Sequence, residues 1–133
     1  LNGTTRSYTK NNQSLIKNRM KNIIAGLEKM YNAKIKLNYK DGYPPLINDY
    51  KATDNVKIAA EKIVAHNVIK PYLSMEGEDF SYYTNKVPGC FFFLGTSPKD
   101  RPPLSTPQHC SHFDIDEEAM LIGSSIFVEL ACK

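Results

Sequence analysis

Cys-Phe-Phe-Phe-Leu-Gly, at residues 90–95, is a continuous apolar run that ends at a glycine. A strand that is buried on both faces has this pattern, and such strands are typical of parallel sheets covered by helices. Pro88 and Gly89 precede the run, and the Pro-rich, polar residues 96–108 follow it. The run therefore predicts an α/β fold, and the segment after it predicts a long loop that is functional or mobile.

Two helices are predicted around this strand. Thr53 is a candidate cap for the first, and Asp114 with Glu117 has the spacing of a capping box for the second. Gly123 lies within the second helix, where it costs ~1 kcal/mol relative to alanine, so we expect it to permit close packing. The apolar residues expected to face inward are Val56, Ala59, Ala60, Ile63 and Val64 in the first helix and Ala119, Ile122, Ile126, Phe127 and Leu130 in the second.

The first 40 residues predict a β-α-β unit. Residues 1–8 read as a strand, residues 11–14 hold three polar candidates for a helix start, and Asn32 is a candidate stop. Residues 34–40 alternate between polar and apolar side chains, which predicts a strand with one buried and one wet face. The apolar stripe of the helix consists of Ile16, Met20, Ile23, Ile24, Leu27, Met30 and Tyr31.

Charge is distributed unevenly along the chain, whose formal net charge is +3. Residues 1–40 carry nine Lys or Arg and one acid, a net charge of +8, whereas residues 41–133 carry eight basic and thirteen acidic residues, a net charge of −5. Such asymmetry indicates two structural units. The turn-forming pairs Asp41-Gly42 and Pro44-Pro45 lie where the sign changes.

Composition excludes several classes of protein. The 133 residues are 41% hydrophobic and 23% charged, which argues against wholesale disorder, and no apolar run approaches the ~20 residues of a membrane span. Cys90, Cys110 and Cys132 have no paired spacing, so they are interpreted as reduced thiols of a cytoplasmic protein and not as a disulfide framework or a Cys-based zinc finger. The start at Leu1 instead of Met indicates a piece of something larger.

Gly77-Glu78-Asp79-Phe80 places two adjacent carboxylates behind a glycine. Carboxylates in this arrangement can orient a substrate amine, a backbone amide or a metal-bound water. The alternative is structural, because acidic residues are favoured near the positive end of a helix dipole. Spacing alone favours this structural interpretation.

His109 and His112 flank Cys110 and Ser111 just before the last predicted helix. Histidine is a common metal ligand, but zinc takes about four ligands, and at least three come from protein. Spacing alone therefore favours surface histidines. Cys110 beside His109 also suggests a nucleophile pair, although no third group that would orient the pair is evident.

The basic face of residues 1–40 suggests contact with a phosphate backbone. Aromatic residues that would stack on bases are few, namely Tyr8 and Tyr39. A solvated charged face is the favoured alternative.

Taken in order, these segments resemble the C-terminal part of the metal-dependent amidohydrolases and carboxypeptidases that include hippurate hydrolase, aminoacylases and the plant auxin-conjugate hydrolases. The resemblance covers essentially the whole chain. Its motifs are Leu1-Asn2-Gly3-Thr4-Thr5-Arg6, Tyr43-Pro44-Pro45 with Asn48-Asp49, Gly77-Glu78-Asp79-Phe80-Ser81-Tyr82-Tyr83, Pro88-Gly89-Cys90-Phe91, Leu94-Gly95, His109 with Phe113-Asp114-Ile115-Asp116-Glu117, and Gly123.

The resemblance implies parts of two domains. Residues 1–43 match the second half of an inserted ferredoxin-like dimerisation domain, a β-α-β half of its β-α-β-β-α-β order. Residues 44–133 match the C-terminal part of a parallel-sheet catalytic domain. A homodimer is implied for the parent protein.

The resemblance also implies a reaction and a set of site residues. Members of the family use two divalent metal ions (zinc, manganese, nickel or cobalt) to activate a water that attacks the amide bond of an N-acyl amino acid or small peptide. His109 matches the last metal ligand. Gly77, Glu78 and Asp79 match a segment beside the substrate, and Arg6 matches a contact to the substrate carboxylate. At Cys110-Ser111 the family more often has a small residue and Pro.

The remaining metal ligands and the general base of this family have no counterpart in the chain. They come from a His-x-Cys-Gly-His-Asp segment, a Glu-Glu pair and a further histidine. The expectation is therefore a hydrolase fragment that is inactive and binds no metal alone, with no catalytic residue of its own. The alternative from another class is a dimerisation or basic nucleic-acid-binding module.

Overall fold

The computed structural model describes residues 1–65, 73–102, 105 and 107–132. Four helices occur in these ranges: α1 at Lys10–Tyr31, α2 at Tyr50–Val64, α3 at Ser81–Thr84 and α4 at Glu118–Ala131. Within the same ranges, no helix has the length and apolar character needed to cross a bilayer.

The chain divides into two units by its internal contacts. Unit 1 combines Leu1–Ile47 with Tyr72–Val87, and unit 2 combines Asn48–Pro71 with Pro88–Lys133. Each unit is thus built from two separate stretches of sequence. The assignment of residues 1–43 and 44–133 to two domains of a longer protein stays a prediction.

Helix α1 of unit 1 starts earlier than the sequence predicts. Its cap is Thr9, whose hydroxyl oxygen accepts a hydrogen bond from the Asn12 backbone N–H at 3.1 Å. The predicted stop at Asn32 is confirmed, since Asn32 takes the left-handed conformation with a φ of 47°, which asparagine tolerates better than most residues. The predicted apolar stripe is only half-buried at Ile16, Met20 and Ile24.

Helix α2 of unit 2 is capped by Asp49 and not by Thr53. The Asp49 carboxylate accepts a hydrogen bond from the Ala52 backbone N–H at 2.9 Å. Thr53 lies inside the first turn, where its hydroxyl donates to the Asp49 carbonyl at 2.7 Å. An acidic cap is favoured here because it satisfies a free N–H group and meets the positive end of the helix dipole.

Asn48 holds the apolar run at residues 90–94 through a pair of hydrogen bonds. Its side-chain amide donates to the Phe91 carbonyl at 2.8 Å, and its side-chain oxygen accepts from the Phe91 N–H at 2.9 Å. The backbone N–H of Asp49 adds a bond to the Gly89 carbonyl at 2.9 Å. Asn48 therefore pairs with Phe91 much as a neighbouring strand would.

The core of unit 2 lies where α2 and α4 pack on each other. Ala59, Ala119 and Ile126 are buried, and Lys62 of α2 pairs with Glu129 of α4. Gly123 permits the close approach expected of it, because a Cβ atom there would lie 3.0 Å from the Leu94 Cδ2 atom. The small residues let α4 pack near both α2 and the apolar run.

No strand occurs in the described part of the chain, so the predicted strands at 1–8, 34–40 and 90–94 are corrected. With them, the α/β character predicted for the β-α-β half-domain and for the parallel sheet is not found there. A strand requires a backbone ladder with a neighbour. Segments 1–8 and 34–40 meet through side chains instead, where the hydroxyls of Thr5 and Tyr39 lie 2.7 Å apart.

The capping box predicted before α4 is also corrected. Asp114 accepts from the Ile115 backbone N–H at 3.0 Å, and Glu117 has no side-chain cap bond. Asp116 supplies the contact, since its carboxylate accepts from the Glu118 N–H at 3.0 Å. The spacing was misleading because three acidic residues near the helix start compete for the same free N–H groups.

We expect Asn48→Ala to lower the free energy of unfolding by about 1–3 kcal/mol, because it removes two hydrogen bonds to Phe91. Asn48→Asp should cost at least as much, since its carboxylate would face the Phe91 carbonyl oxygen. Urea denaturation of the complete protein measures both effects. Asn38→Ala, at an exposed asparagine of unit 1, is the matched control and should change little. Equal stability of the Asn48 and Asn38 variants would contradict the assigned role.

Candidate functional site

His109 lies in the loop of unit 2 that precedes α4, and its backbone is strained. Its φ is 64°, in the left-handed region. This conformation costs an L-residue other than glycine roughly 1–2 kcal/mol. Strained residues of this kind persist where the surrounding structure holds them, and they cluster at functional sites.

The turn around His109 is held by its neighbours. The Cys110 thiol donates to the Pro107 carbonyl with a sulfur–oxygen distance of 2.9 Å. The Phe113 N–H then donates to the Cys110 carbonyl at 3.2 Å. The thiol thus contacts a backbone oxygen and not the His109 imidazole, which favours a structural role for Cys110 over a nucleophile pair.

The His109 side chain is exposed and accessible. No hydrogen bond to its imidazole occurs within the part of the chain that the structure describes. The exposed position leaves the His109 side chain open to solvent. His112, three residues further on, is exposed as well but has no left-handed backbone.

A complete metal centre is not assembled from the described residues. Among them, no group of three His, Cys, Asp or Glu side chains is placed to hold a metal ion. Zinc needs at least three protein ligands, so His109 as a single candidate does not fit a whole site. The expectation that this chain alone binds no metal stays a prediction.

Charged side chains surround the start of α4 in unit 2. The Lys99 ammonium lies 2.5 Å from Glu118 and 3.6 Å from Asp116. The hydrogen bond to Glu118, together with the negative charges of Glu118 and Asp116, raises the pKa of Lys99 above its ordinary value. Because the pKa of Lys99 is raised, its stabilising contribution is fully present below the ordinary lysine pKa and is lost as the pH rises through the raised value.

The Gly77–Asp79 segment of unit 1 lies at the start of the short helix α3. The Glu78 carboxylate accepts from the Phe80 N–H at 3.1 Å, as the structural interpretation predicts. Asp79 is exposed, and its carbonyl accepts from the Tyr82 N–H at 2.9 Å. A Cβ atom at Gly77 would lie 3.3 Å from the Tyr43 ring, so the glycine lets this turn approach an aromatic side chain. The substrate contacts predicted for Gly77, Glu78 and Asp79 stay predictions.

Arg6 lies in the extended N-terminal segment of the same unit. Its guanidinium donates to the Thr4 hydroxyl at 2.9 Å. The Thr5–Tyr39 hydroxyl contact holds the segment, and the Lys17 ammonium of α1 lies 5.0 Å above the Tyr39 ring. Arg6 therefore shares a unit with the Gly77–Asp79 segment, whereas His109 belongs to the other unit.

Ser81 is a polar group to which the sequence analysis gave no role. Its side chain is fully buried, and its hydroxyl has no hydrogen-bond partner among the described residues. Its carbonyl accepts from the Asn85 side-chain amide at 2.5 Å. A serine in a run of aromatic residues is the only sequence signal for this position, and the signal does not distinguish a buried hydroxyl from an exposed one.

The comparisons with known proteins cover almost the whole chain. The sequence profile described as "Peptidase family M20/M25/M40" matches residues 5–133. The chain belongs to this M20 family. The resemblance drawn from the ordered motifs is thereby confirmed.

Relatives in the M20 family carry hydrolase names. The chain is 32% identical over 130 residues to "Putative amidohydrolase YhaA" of Bacillus subtilis, which covers 97% of this chain and 33% of that protein. It is 33% identical over 122 residues to "Uncharacterized hydrolase SA1230" of Staphylococcus aureus, covering 91% of this chain and 32% of that protein. The chain thus spans about a third of the length of these relatives.

A solved structure is similar as well. The crystal structure of a "putative aminohydrolase" from methicillin-resistant Staphylococcus aureus matches with a TM-score of 0.66 and 27% identity. The match covers 93% of this chain and 31% of that one. Sequence and structure comparisons therefore both match this chain to part of a larger protein with a hydrolase name.

We expect the His109→Gly variant to be more stable than the His109→Ala variant by about 1 kcal/mol, because only glycine adopts a φ of 64° without strain. Urea denaturation of the two variants of the complete protein measures the difference. His112 lacks a positive φ, so its glycine variant should be less stable than its alanine variant. Glycine there only adds conformational freedom to the unfolded chain. An alanine variant at His109 as stable as the glycine variant would contradict the strained conformation.

Proposed function

We propose that the complete protein carrying this chain is a metal-dependent amidohydrolase that cleaves the amide bond of N-acyl amino acids or small peptides. Membership of the M20 family and hydrolase-named relatives support the reaction class. The observation that carries the proposal is that His109, which the resemblance matches to the family's last metal ligand, is exposed and has a strained backbone.

His109 is the metal ligand that this chain contributes. A neutral imidazole is a common ligand of transition metals, and the left-handed backbone fixes the direction in which the side chain leaves the loop. The other ligands and the general base belong to the rest of the protein, so the chain alone is inactive. The two divalent ions supply a Lewis acid and an activated water when bound, and zinc, manganese, nickel and cobalt all remain candidates.

Arg6 and the Gly77–Asp79 segment are the proposed substrate contacts. A guanidinium binds a carboxylate through paired hydrogen bonds, and an N-acyl amino acid or a peptide end offers that carboxylate. Asp79 is exposed and fits a positioning role toward a substrate amide or amine. A homodimer of the complete protein completes the proposal, with residues 1–43 in its dimerisation domain.

Binding of nucleic acid is the alternative that the charge distribution raised, and no contact favours it. Lys17 pairs with Asp41 at 2.8 Å, and its ammonium also lies over the Tyr39 ring. The Tyr39 hydroxyl contacts Thr5. Of the two aromatic rings that could stack on a base, Tyr39 is therefore engaged within unit 1, and we retain amide hydrolysis as the proposed function.

We expect His109→Ala to reduce the activity of the complete protein by at least about a hundredfold, because loss of a metal ligand disables the site. Release of free amino acid from a panel of N-acyl amino acids and dipeptides measures the activity, before and after treatment with a chelator. His112→Ala is the matched control, since it removes a second exposed histidine three residues away. Full activity of the His109 variant would refute the assignment.

A further inference from the structure

The loop that carries His109 is closed at its two ends within unit 2. It leaves the apolar run at Thr96 and enters α4 beyond Asp116, and the Asp116 N–H donates to the Thr96 carbonyl at 2.9 Å. This backbone bond sets the distance between the loop ends. Between these ends, the Arg101 N–H donates to the Pro98 carbonyl at 3.4 Å and the Phe113 N–H to the Cys110 carbonyl at 3.2 Å, and both bonds are local turns that do not join the two halves of the loop.

Two cations from the first half of the loop meet carboxylates near its far end and at the start of α4. Lys99 pairs with Asp116 and Glu118, as described above. Arg101 pairs with Asp114 through its Nη1 and Oδ2 atoms at 3.1 Å. We name the set Lys99, Arg101, Asp114, Asp116 and Glu118 the charge clamp.

The charge clamp encloses the strained residue along the sequence. Lys99 and Arg101 precede His109, and the three carboxylates follow it. A left-handed histidine relaxes whenever its loop opens, because its ordinary backbone conformation is lower in energy. Contacts that keep the loop closed therefore also keep His109 in its strained orientation.

The strength of the clamp follows from its exposure. Lys99 is 76% exposed and Arg101 45% exposed at the side chain. A single exposed pair contributes little, but Lys99 meets two carboxylates and Arg101 adds a third pair, so together they should change the population of the open loop by roughly three- to tenfold. That effect suits a positioning device better than a source of global stability.

We propose that Lys99 and Arg101 are positioning residues, which act through the charge clamp to hold His109 in the orientation that its role requires. The proposal rests on the proposed function, in which His109 is a metal ligand. It gives Lys99 and Arg101 a role that they exert through their contacts with carboxylates.

The chain carries its own reporter of loop opening. The Cys110 thiol is half-buried beside His109 and bonded to the Pro107 carbonyl. A thiol reacts with an alkylating agent faster when its hydrogen bond breaks and it becomes exposed. Cys132, at the far end of α4, is exposed already and serves as an internal standard.

The experiment is pulsed alkylation of the complete protein with iodoacetamide, followed by mass spectrometry of the Cys110 and Cys132 peptides. We expect the Lys99→Met, Arg101→Met double variant to raise the Cys110 rate about three- to tenfold and to leave the Cys132 rate unchanged. Added salt should raise the Cys110 rate in the unmodified protein but not in the double variant, because salt screens exposed charges.

Two further variants separate charge from bulk. Lys99→Arg with Arg101→Lys keeps both cations and should keep the slow Cys110 rate. Lys57→Met removes an exposed pair with Glu61 elsewhere in unit 2 and should also leave the rate unchanged. A Cys110 rate that is the same in the methionine double variant and the unmodified protein would overturn the clamp.

Activity distinguishes the positioning role from the proposed function. In the methionine double variant, the Cys110 rate follows the open fraction of the loop and kcat follows the closed fraction, so kcat should fall by a smaller factor than the Cys110 rate rises, with KM little changed. A faster Cys110 rate with unchanged kcat would overturn the positioning role. Full activity of the His109→Ala variant would instead overturn the metal-ligand role, whatever the alkylation rates are.

Discussion

Unit 2 depends on the side-chain amide of Asn48. It satisfies both backbone groups of Phe91, and the next residue, Asp49, caps α2 and bonds to the Gly89 carbonyl. Two consecutive residues thus fix a helix and the apolar run next to each other. The two bonds lie at an exposed site and require a fixed donor and acceptor geometry, so this contact makes the placement of the run specific.

The position of His109, the candidate metal ligand, depends on the contact between Asn48 and Phe91. The apolar run ends at Gly95, and the backbone bond from Asp116 to Thr96 returns the chain to the same place. Helix α4 starts there and packs on α2, with Gly123 close to Leu94. The loop with His109 is therefore attached at both ends to the part of unit 2 that Asn48 and Asp49 organise. The strained backbone of His109 is tolerated because both ends of its loop are fixed.

Local patterns predicted the helices better than anything else. The apolar spacing found α1, α2 and α4, and Asn32 was recognised as a stop because asparagine accepts the left-handed conformation. Caps were misplaced, because several polar residues near a helix start offer the same hydrogen bond and sequence alone does not rank them. The choice of Asp49 over Thr53 is such a case.

Features that depend on contacts between distant residues were not predicted from the sequence. A strand depends on a backbone partner that periodicity does not supply, and at Phe91 the partner is a side chain. The left-handed backbone of His109 has only a weak local signal, since histidine takes this conformation more often than most residues but still uncommonly. The ordered motifs nevertheless predicted the family correctly, because a resemblance summarises constraints that spacing alone does not contain.

The central claim is that His109 binds a metal in an M20 amidohydrolase. A crystal structure of the complete protein with its metal, with anomalous diffraction to locate the ion, tests it most directly. We predict a distance of about 2.0–2.1 Å between an imidazole nitrogen of His109 and a metal ion if that ion is zinc. A metal centre whose ligands all come from other residues, with the His109 imidazole facing solvent, would contradict the claim.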